Sequence, residues 1–203
     1  MQFVLLATRN ALKTREFAAL TGSEFTVRDA TSIPGLAMVE ETGATFTENA
    51  ILKATAISRI VPGLVVADDS GLEVDSLGGA PGVFSARYAG EHASDHENVA
   101  KLLATMRGAD RAAQFRCVLA LSENGETVAT FDGVVRGRIA DSAAGWNGFG
   151  YDPVFVPEGY EQTFAQLGDA VKSAISHRAR AAAQLLDYLR ENKKGGEDRR
   201  PQS

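Results

Sequence analysis

The 203-residue sequence contains one cysteine, one tryptophan and three histidines. A single cysteine excludes a disulfide framework and a cysteine-based zinc cage, and it fits a reducing compartment. No apolar run approaches the roughly 20 residues that a membrane helix needs, and the N-terminus lacks the pattern of a signal peptide. Basic residues number 21 against 26 acidic ones, which disfavours a surface that binds duplex nucleic acid. We therefore expect a cytoplasmic protein that binds neither membranes nor nucleic acids.

Standard catalytic and nucleotide-binding patterns are also missing. Neither the phosphate-binding loop GxxxxGK[ST] nor the dinucleotide fingerprint GxGxxG occurs. The histidines have no metal-ligand spacing, and no Ser-His-Asp order or nucleophilic cysteine arrangement is present. Covalent catalysis by a serine or cysteine is therefore disfavoured.

Strand and helix patterns alternate along the first half of the chain, and a hairpin signal follows them. Apolar runs at 3–7, 64–67 and 115–121 indicate buried strands, and Asn124-Gly125 predicts a tight hairpin. This order predicts an α/β fold with a mixed sheet. No linker divides residues 1–190, which we expect to form a single domain. Residues 191–203 contain no large apolar side chain, which predicts a disordered tail.

A lysine interrupts the apolar face of the clearest predicted helix, residues 45–61. Thr45 and Glu48 have the spacing of a capping box, and apolar residues recur from Phe46 onward at helical intervals. At about 100° per residue, Lys53 lies within about 20° of Phe46 on the helical wheel. Because a cation on a buried face needs an anion or a route to water, Lys53 is a candidate ligand-binding residue.

Two groups of residues suit anion and metal binding. Thr8, Asn10 and Lys13 lie at a strand-to-helix turn whose free N–H groups suit a polyphosphate, although a helix N-cap with a solvated lysine is the alternative. We place Asp68 and Asp69 at the carboxyl end of a buried strand, where α/β proteins bind ligands, and at most one of them can face a ligand directly. Carboxylates without histidine or cysteine nearby favour Mg²⁺ over zinc. A simple Asp-Ser-Gly turn is the alternative interpretation of this segment.

A third group combines aromatic and basic side chains. Phe149, Tyr151 and Asp152 lie in a glycine-rich loop that lets the backbone approach a flat ligand closely. Basic side chains cluster where the last helix is predicted to begin, near Ser176: Lys172, His177 and Arg178. A solvated helix start is the alternative for that cluster.

Five motifs of the chain resemble one family, in family order. They are ATRNALK (7–13), EETGATFTENAILKA (40–54), ADDSGLEVDSLGGAPGVFSARYAG (67–90), GFGYDPVF (148–155) and KSAISHR (172–178). These segments are similar to the inosine triphosphate pyrophosphatase family, also called dITP/XTP diphosphatases. The resemblance implies an elongated mixed α/β sheet flanked by helices, two lobes around a substrate cleft, and a homodimer. It also implies Mg²⁺-dependent hydrolysis of ITP, dITP or XTP to the monophosphate and pyrophosphate.

The resemblance further assigns roles to individual residues. Asp69 matches the general base and, together with Glu40, the metal ligands, while Lys53 and Asp68 complete the catalytic group. The residues that match substrate contacts are Thr8, Arg9, Asn10, Lys13, Ser70, Phe149, Gly150, Tyr151, Asp152, Lys172, His177 and Arg178.

Some assignments and functions stay open at this point. Arg9 stands where the family often has glycine or serine, and it either contacts phosphate or points outward. Lys172 lacks the two glutamates that commonly precede it in the family. The residues that would hold its side chain in place therefore stay unassigned. Glu41 is as compatible with the metal-binding position as Glu40. Two other functions are alternatives: a Maf-like nucleoside triphosphate pyrophosphatase with another base preference, and a nucleotide sensor that does not hydrolyse.

Overall fold

The structure, a computed structural model, describes residues 2–106 and 110–197. Its strands are β1 (Gln2–Leu6), β2 (Phe25–Asp29), β3 (Val65–Val74), β4 (Ala112–Glu123), β5 (Glu126–Ile139) and β6 (Phe155–Pro157). Its α-helices are α1 (Ala11–Thr21), α2 (Phe46–Ser58), α3 (Asp95–Thr105), α4 (Phe164–Ile175) and α5 (His177–Glu197). Within these described ranges, no helix is both long enough and apolar enough to cross a membrane.

The six strands form one mixed sheet in the order β2-β1-β3-β4-β5-β6. The first three strands run parallel, and β4, β5 and β6 each pair antiparallel with the preceding strand of the sheet. The hairpin between β4 and β5 turns at Asn124-Gly125, where both residues have positive φ, as a two-residue hairpin turn requires. The predicted α/β fold with a mixed sheet and this hairpin are therefore confirmed.

Strand β3 corrects the interpretation of the acidic segment. It continues through Asp68-Asp69-Ser70-Gly71 to Val74 and pairs with β4 along all ten residues. The two acids thus lie in the middle of a strand rather than at its carboxyl end, and the turn alternative is wrong. The continuous ladder with β4 satisfies the backbone groups that a turn would otherwise have bonded locally.

Helices cover both faces of the sheet, and the polar segment of β3 divides the core. One apolar cluster packs α1 and α5 against β1 and β4, and a second packs α2 on the opposite face. A third surrounds Leu72 and Val74 beyond the acids, with residues of α3, β5 and α4. The core therefore lies on either side of the acidic segment, which accords with the two lobes and the cleft that the resemblance implies.

The starts of the helices match the sequence where capping signals are strong, whereas α2 ends at Ser58, three residues before the predicted end. Thr45 caps α2, its hydroxyl accepting from the Glu48 N–H at 3.1 Å, and Ser94 with Glu97 forms a full capping box on α3. Helix α4 was not predicted; it contains a non-helical residue at Gly168, which interrupts the apolar periodicity. The predicted tail lies outside the described residues from 198 onward, whereas the backbone of 191–197 continues α5.

Candidate functional site

Most of the predicted site residues line one cleft of the molecule. The sequence-predicted residues found there are Asn10, Lys13, Asp69, Ser70, Phe149, Gly150, Tyr151, Asp152, Lys172, His177 and Arg178. They come from α1, β3, the 145–154 loop, α4 and α5, so the fold brings together segments separated by more than 160 positions. Lys53 and Asp68 are buried behind this lining and bond directly to residues in it.

Asp68 and Asp69 point to opposite faces of β3 and have different surroundings. Asp68 is 2% exposed and accepts hydrogen bonds from Lys13 and from Arg178 Nε, the latter at 2.9 Å. Burial alone would raise the pKa of Asp68, but the two cations outweigh it and hold that pKa well below its ordinary value. Asp68 is therefore a permanent anion whose charge is already paired.

Asp69 faces α2, and its negative charge is less fully compensated than that of Asp68. Its carboxylate accepts from Lys53 Nζ and from Asn49 Nδ2, both at 3.2 Å. Burial raises the pKa of Asp69, and Lys53 only partly opposes that rise. A carboxylate with a raised pKa at the edge of a cleft has the properties of a general base.

Lys53 joins the two acids that could hold a metal. Its Nζ lies 2.6 Å from Glu41 Oε1 and 3.2 Å from Asp69 Oδ1, and it donates to the Asp68 carbonyl at 2.8 Å. Burial would lower the pKa of Lys53, but Asp69 and Glu41 outweigh it and raise that pKa. The lysine predicted on the apolar face of α2 thus finds its anions in these carboxylates.

Glu41, rather than the predicted Glu40, faces the cleft. Glu40 is exposed, whereas Glu41 lies among the lining residues and pairs with Lys53. Glu41 and Asp69 together offer hard oxygen donors, which suit Mg²⁺. Within 2–106 and 110–197, no group of three His, Cys, Asp or Glu residues is arranged for a metal. Two carboxylates are nevertheless enough for Mg²⁺ when substrate phosphates supply further ligands.

The strand-to-helix turn has the predicted N-cap but not the solvated lysine that this alternative included. Asn10 caps α1, its side chain accepting from the N–H groups of Leu12 and Lys13 at 3.0 and 3.3 Å. Lys13 is not solvated, because its ammonium group pairs with Asp68. Thr8 accepts from the Asn10 N–H at 3.1 Å. Arg9 is an exposed residue whose guanidinium group donates to the Leu36 carbonyl.

A chain of alternating charges crosses the other end of the cleft. Lys172 Nζ lies 2.7 Å from Glu16 and 2.6 Å from Asp152, and Glu16 also pairs with Arg178. Through Arg178 the chain reaches Asp68. The order of its members, which we call the charge chain, is Lys13, Asp68, Arg178, Glu16, Lys172 and Asp152.

Aromatic rings complete this end of the cleft. Lys172 Nζ lies 4.5 Å from the ring centroid of Phe149, and His177 stacks on Phe115 with the ring centroids 4.8 Å apart. Burial, then the cation of Arg178, lowers the pKa of His177 well below its usual value, so this imidazole is neutral. Its Nδ1 has no hydrogen-bond partner among the described residues. The Tyr151 hydroxyl, in contrast to His177 Nδ1, has a partner: it donates to the Ser85 carbonyl at 2.9 Å. This hydroxyl therefore has a structural role.

Glu16 and Asn49 hydrogen-bond to predicted site residues but were not themselves predicted from the sequence. Glu16 supplies the support of Lys172 that the sequence left unassigned, but its partners lie 156 and 162 positions away, so no local signal could identify it. Asn49 is fully buried beside Asp69. Its position at the edge of the apolar face of α2 was a usable signal, of the same kind that identified Lys53.

Comparisons with known proteins agree with this geometry. The Ham1 family matches residues 4–188 of the chain. A dITP/XTP pyrophosphatase of Bacillus licheniformis is 47% identical over 193 residues, which cover 93% of this chain and 98% of that protein. The corresponding Bacillus subtilis protein is 44% identical, with the same coverage of each chain. The resemblance found in the sequence is thereby confirmed.

Solved structures extend the likeness to three dimensions. The Ham1 protein of Staphylococcus aureus superposes with a TM-score of 0.84 at 43% identity, covering 94% of this chain and all of that one. A nucleoside-triphosphatase / dITP/XTP pyrophosphatase of Mycobacterium abscessus gives a TM-score of 0.74, also at 43% identity, covering 91% of this chain and 99% of that one. With the family match across most of the sequence, these findings establish that the chain belongs to the Ham1 family.

Proposed function

We propose that this protein hydrolyses non-standard purine nucleoside triphosphates, namely ITP, dITP and XTP, to the monophosphate and pyrophosphate. The observation that supports the proposal is the cleft itself, in which Asp69, a buried carboxylate with a raised pKa, lies between Lys13 and Lys53 on one side and a polar, aromatic-lined end on the other. Relatives that are 44–47% identical over nearly their whole length are named dITP/XTP pyrophosphatases. The reaction removes deaminated purines from the nucleotide pool.

Asp69 acts as the general base in this proposal. Its carboxylate takes a proton from a water molecule, whose oxygen forms a bond to the α-phosphorus while the bond to the departing pyrophosphate breaks. Asp68 cannot do this, because Lys13 and Arg178 hold it in its ionised, paired form. The pairing also explains why only one of two adjacent acids serves as the base.

Cations on both faces of β3 bind the triphosphate. Lys13 and Lys53 offset the charge that develops on the departing pyrophosphate. Glu41 and Asp69 would hold Mg²⁺, which lowers the pKa of the attacking water and neutralises phosphate charge. Asp68 supports the reaction indirectly by fixing Lys13 and Arg178.

The purine base of the substrate is recognised at the end of the cleft that holds Lys172 and Arg178 of the charge chain. Lys172 uses two of its three N–H donors on Glu16 and Asp152, so one remains for a ligand. Arg178 likewise keeps N–H groups beyond those bonded to Asp68, Ser70 and Glu16. Donors suit the 6-oxo group of hypoxanthine and xanthine, whereas the 6-amino group of adenine would face another donor. Phe149 and His177 offer flat surfaces beside these donors.

Assembly and location belong to the same proposal. We infer a homodimer from the family resemblance, and sedimentation of the purified protein would give its mass in solution. A cytoplasmic location follows from the activity, because its substrates arise in the nucleotide pool of the cell.

A substrate panel tests the proposed function. Pyrophosphate release is measured for ITP, XTP, dTTP and ATP, with Mg²⁺ and with an excess of EDTA. We expect rapid release from ITP and XTP, release from ATP that is slower by roughly 10²-fold or more, and none in EDTA. Preference for dTTP would favour the Maf-like alternative. Binding of ITP without any hydrolysis would favour the sensor.

A further inference from the structure

Asn49 lies at the centre of the catalytic face of α2, yet the mechanism so far gives it no role. Its side chain is fully buried and makes two hydrogen bonds that leave the helix. Asn49 Oδ1 accepts from the Gly43 N–H at 2.7 Å, and Asn49 Nδ2 donates to Asp69 Oδ2 at 3.2 Å. A buried amide bonded on both sides is held in one orientation.

The chemistry of the two partners fixes which way the amide faces. The Gly43 N–H can only donate, so it needs the oxygen, and the Asp69 carboxylate can only accept, so it needs the NH₂ group. A flipped amide would place like groups against each other at both ends. The hydrogen-bond assignment is therefore required by the neighbours.

The backbone at Gly43 lies too close to α2 to leave room for a side chain. A Cβ at position 43 would lie 2.6 Å from the Glu48 Cβ and 2.7 Å from Asn49 Oδ1. Only glycine lets the backbone approach α2 so closely. Gly43 comes two residues after Glu41, so the segment that carries this acid is attached to α2 through Asn49.

Asp69 is consequently held by two residues of α2 that lie one turn apart. Lys53 contacts Asp69 Oδ1, and Asn49 contacts Asp69 Oδ2. Lys53 is also held by Glu41 and the Asp68 carbonyl, and Asn49 is held by the Gly43 N–H. Each residue bonds one oxygen of the carboxylate, so loss of the Asn49 contact releases Oδ2 and lets the plane of the carboxylate turn.

We propose that Asn49 is a positioning residue for hydrolysis: its amide fixes the orientation of the Asp69 carboxylate and ties it to the segment that carries Glu41. This inference rests on the proposed function, in which Asp69 is the base. A misplacement of about 1 Å at the reacting groups can cost roughly 10²-fold in rate. Among the described residues, the side-chain hydrogen bonds of Asn49 go only to Gly43 and Asp69. Its loss therefore removes no direct bond to Lys13, Lys53 or the polar, aromatic-lined end of the cleft, and it should spare nucleotide binding.

The experiment compares three variants by turnover per binding site. Asn49→Ala removes both hydrogen bonds. Asn49→Asp keeps an acceptor for the Gly43 N–H but presents an oxygen to Asp69 in place of the NH₂ group. Asn98→Ala is the matched control, since Asn98 is also a buried asparagine that clamps backbone, bonding the Ala89 N–H at 2.8 Å and the Ala86 carbonyl at 3.2 Å.

Calorimetric titration with an ITP analogue whose α,β-bridging oxygen is replaced by an imido group gives the number of competent sites and their affinity. Pyrophosphate release from ITP, divided by that number, gives turnover per site. We expect both Asn49 variants to lose about 10- to 100-fold in turnover per site, with the dissociation constant of the analogue within about threefold of wild type. Asn98→Ala should keep wild-type turnover per site even if it lowers stability.

Two results would overturn the role of Asn49. Wild-type turnover per site in Asn49→Asp would show that only the bond to Gly43 matters. A loss in Asn49→Ala that is fully explained by fewer competent sites would show that the residue is merely structural. Failure of the proposed function gives a different result. The wild-type protein would then release no pyrophosphate from ITP, whether or not it binds the analogue.

Discussion

Replacement of Lys53 by methionine separates two views of a buried lysine. From the sequence alone, a cation on the apolar face of a helix is a cost, so Lys53→Met should leave the free protein as stable or more stable. The structure reverses this expectation. Lys53 compensates Asp69 and Glu41, and methionine would leave Asp69 without its ion-pair partner, while Glu41 would keep only the longer contact with Arg87 at 3.7 Å.

The size of the loss follows from how buried each partner is. Removing one member of a buried ion pair costs about 3–5 kcal/mol, because the other charge stays uncompensated. The side chain of Asp69 is 8% exposed, whereas that of Glu41 is 29% exposed and can turn toward water. We therefore expect a loss of roughly 2–3 kcal/mol in the free energy of unfolding, somewhat below the fully buried case. For a domain of this size, that corresponds to a fall of about 4–12 °C in Tm.

Thermal melts followed by circular dichroism in EDTA measure this difference. Lys13→Met is the control, because its partner Asp68 keeps the hydrogen bonds from Arg178, Ser70 and Cys117, so its Tm should fall by less than half as much. Added Mg²⁺ should recover part of the loss in Lys53→Met by compensating the same carboxylates. A Tm for Lys53→Met equal to or above wild type in EDTA would refute the reasoning.

Three further outcomes follow from the site. Asp69→Asn should lower turnover at least ~10²-fold while ITP still binds, as calorimetry would show; turnover near wild type would remove Asp69 from the mechanism. Because burial raises the pKa of Asp69, kcat/KM should be lost as the pH falls and the carboxylate takes up a proton, with a midpoint above the ordinary 3.8. A midpoint at or below that value would contradict the role of burial. Lys172→Ala should lower the ratio of ITP to ATP hydrolysis by roughly tenfold or more, since its free donor faces the base; an unchanged ratio would exclude it from base reading.

Local signals predicted the parts of the fold that depend on local chemistry. Thr45 and the Asn124-Gly125 turn each satisfy backbone groups within a few residues, and each was visible in the sequence. The course of β3 was not, because the ladder with β4 overrides the turn preference of Asp-Ser-Gly. Pairing with a distant strand cannot be recognised from the residues of the segment itself.

The same distinction holds for the candidate site. Lys53 was identifiable because a buried face and a charge conflict within one helix. Glu16 was not identifiable, because the side chains that it pairs with lie on α4 and α5, far along the chain. The choice between Glu40 and Glu41 depended on the path of an irregular segment, which periodicity does not describe.

The charge chain has a consequence for how this protein can change over evolution or by design. Its six members carry three positive and three negative charges, and each interior member touches two of opposite sign. Replacing an interior member by a neutral residue leaves its two neighbours of like charge without their shared partner in a largely buried setting, which is costly. Tolerated substitutions should therefore occur as opposite-sign pairs of neighbours, such as Lys172 with Asp152, whose joint loss leaves Glu16 paired with Arg178. Libraries intended to alter base preference will sample more folded variants if they vary such pairs together than if they vary single positions.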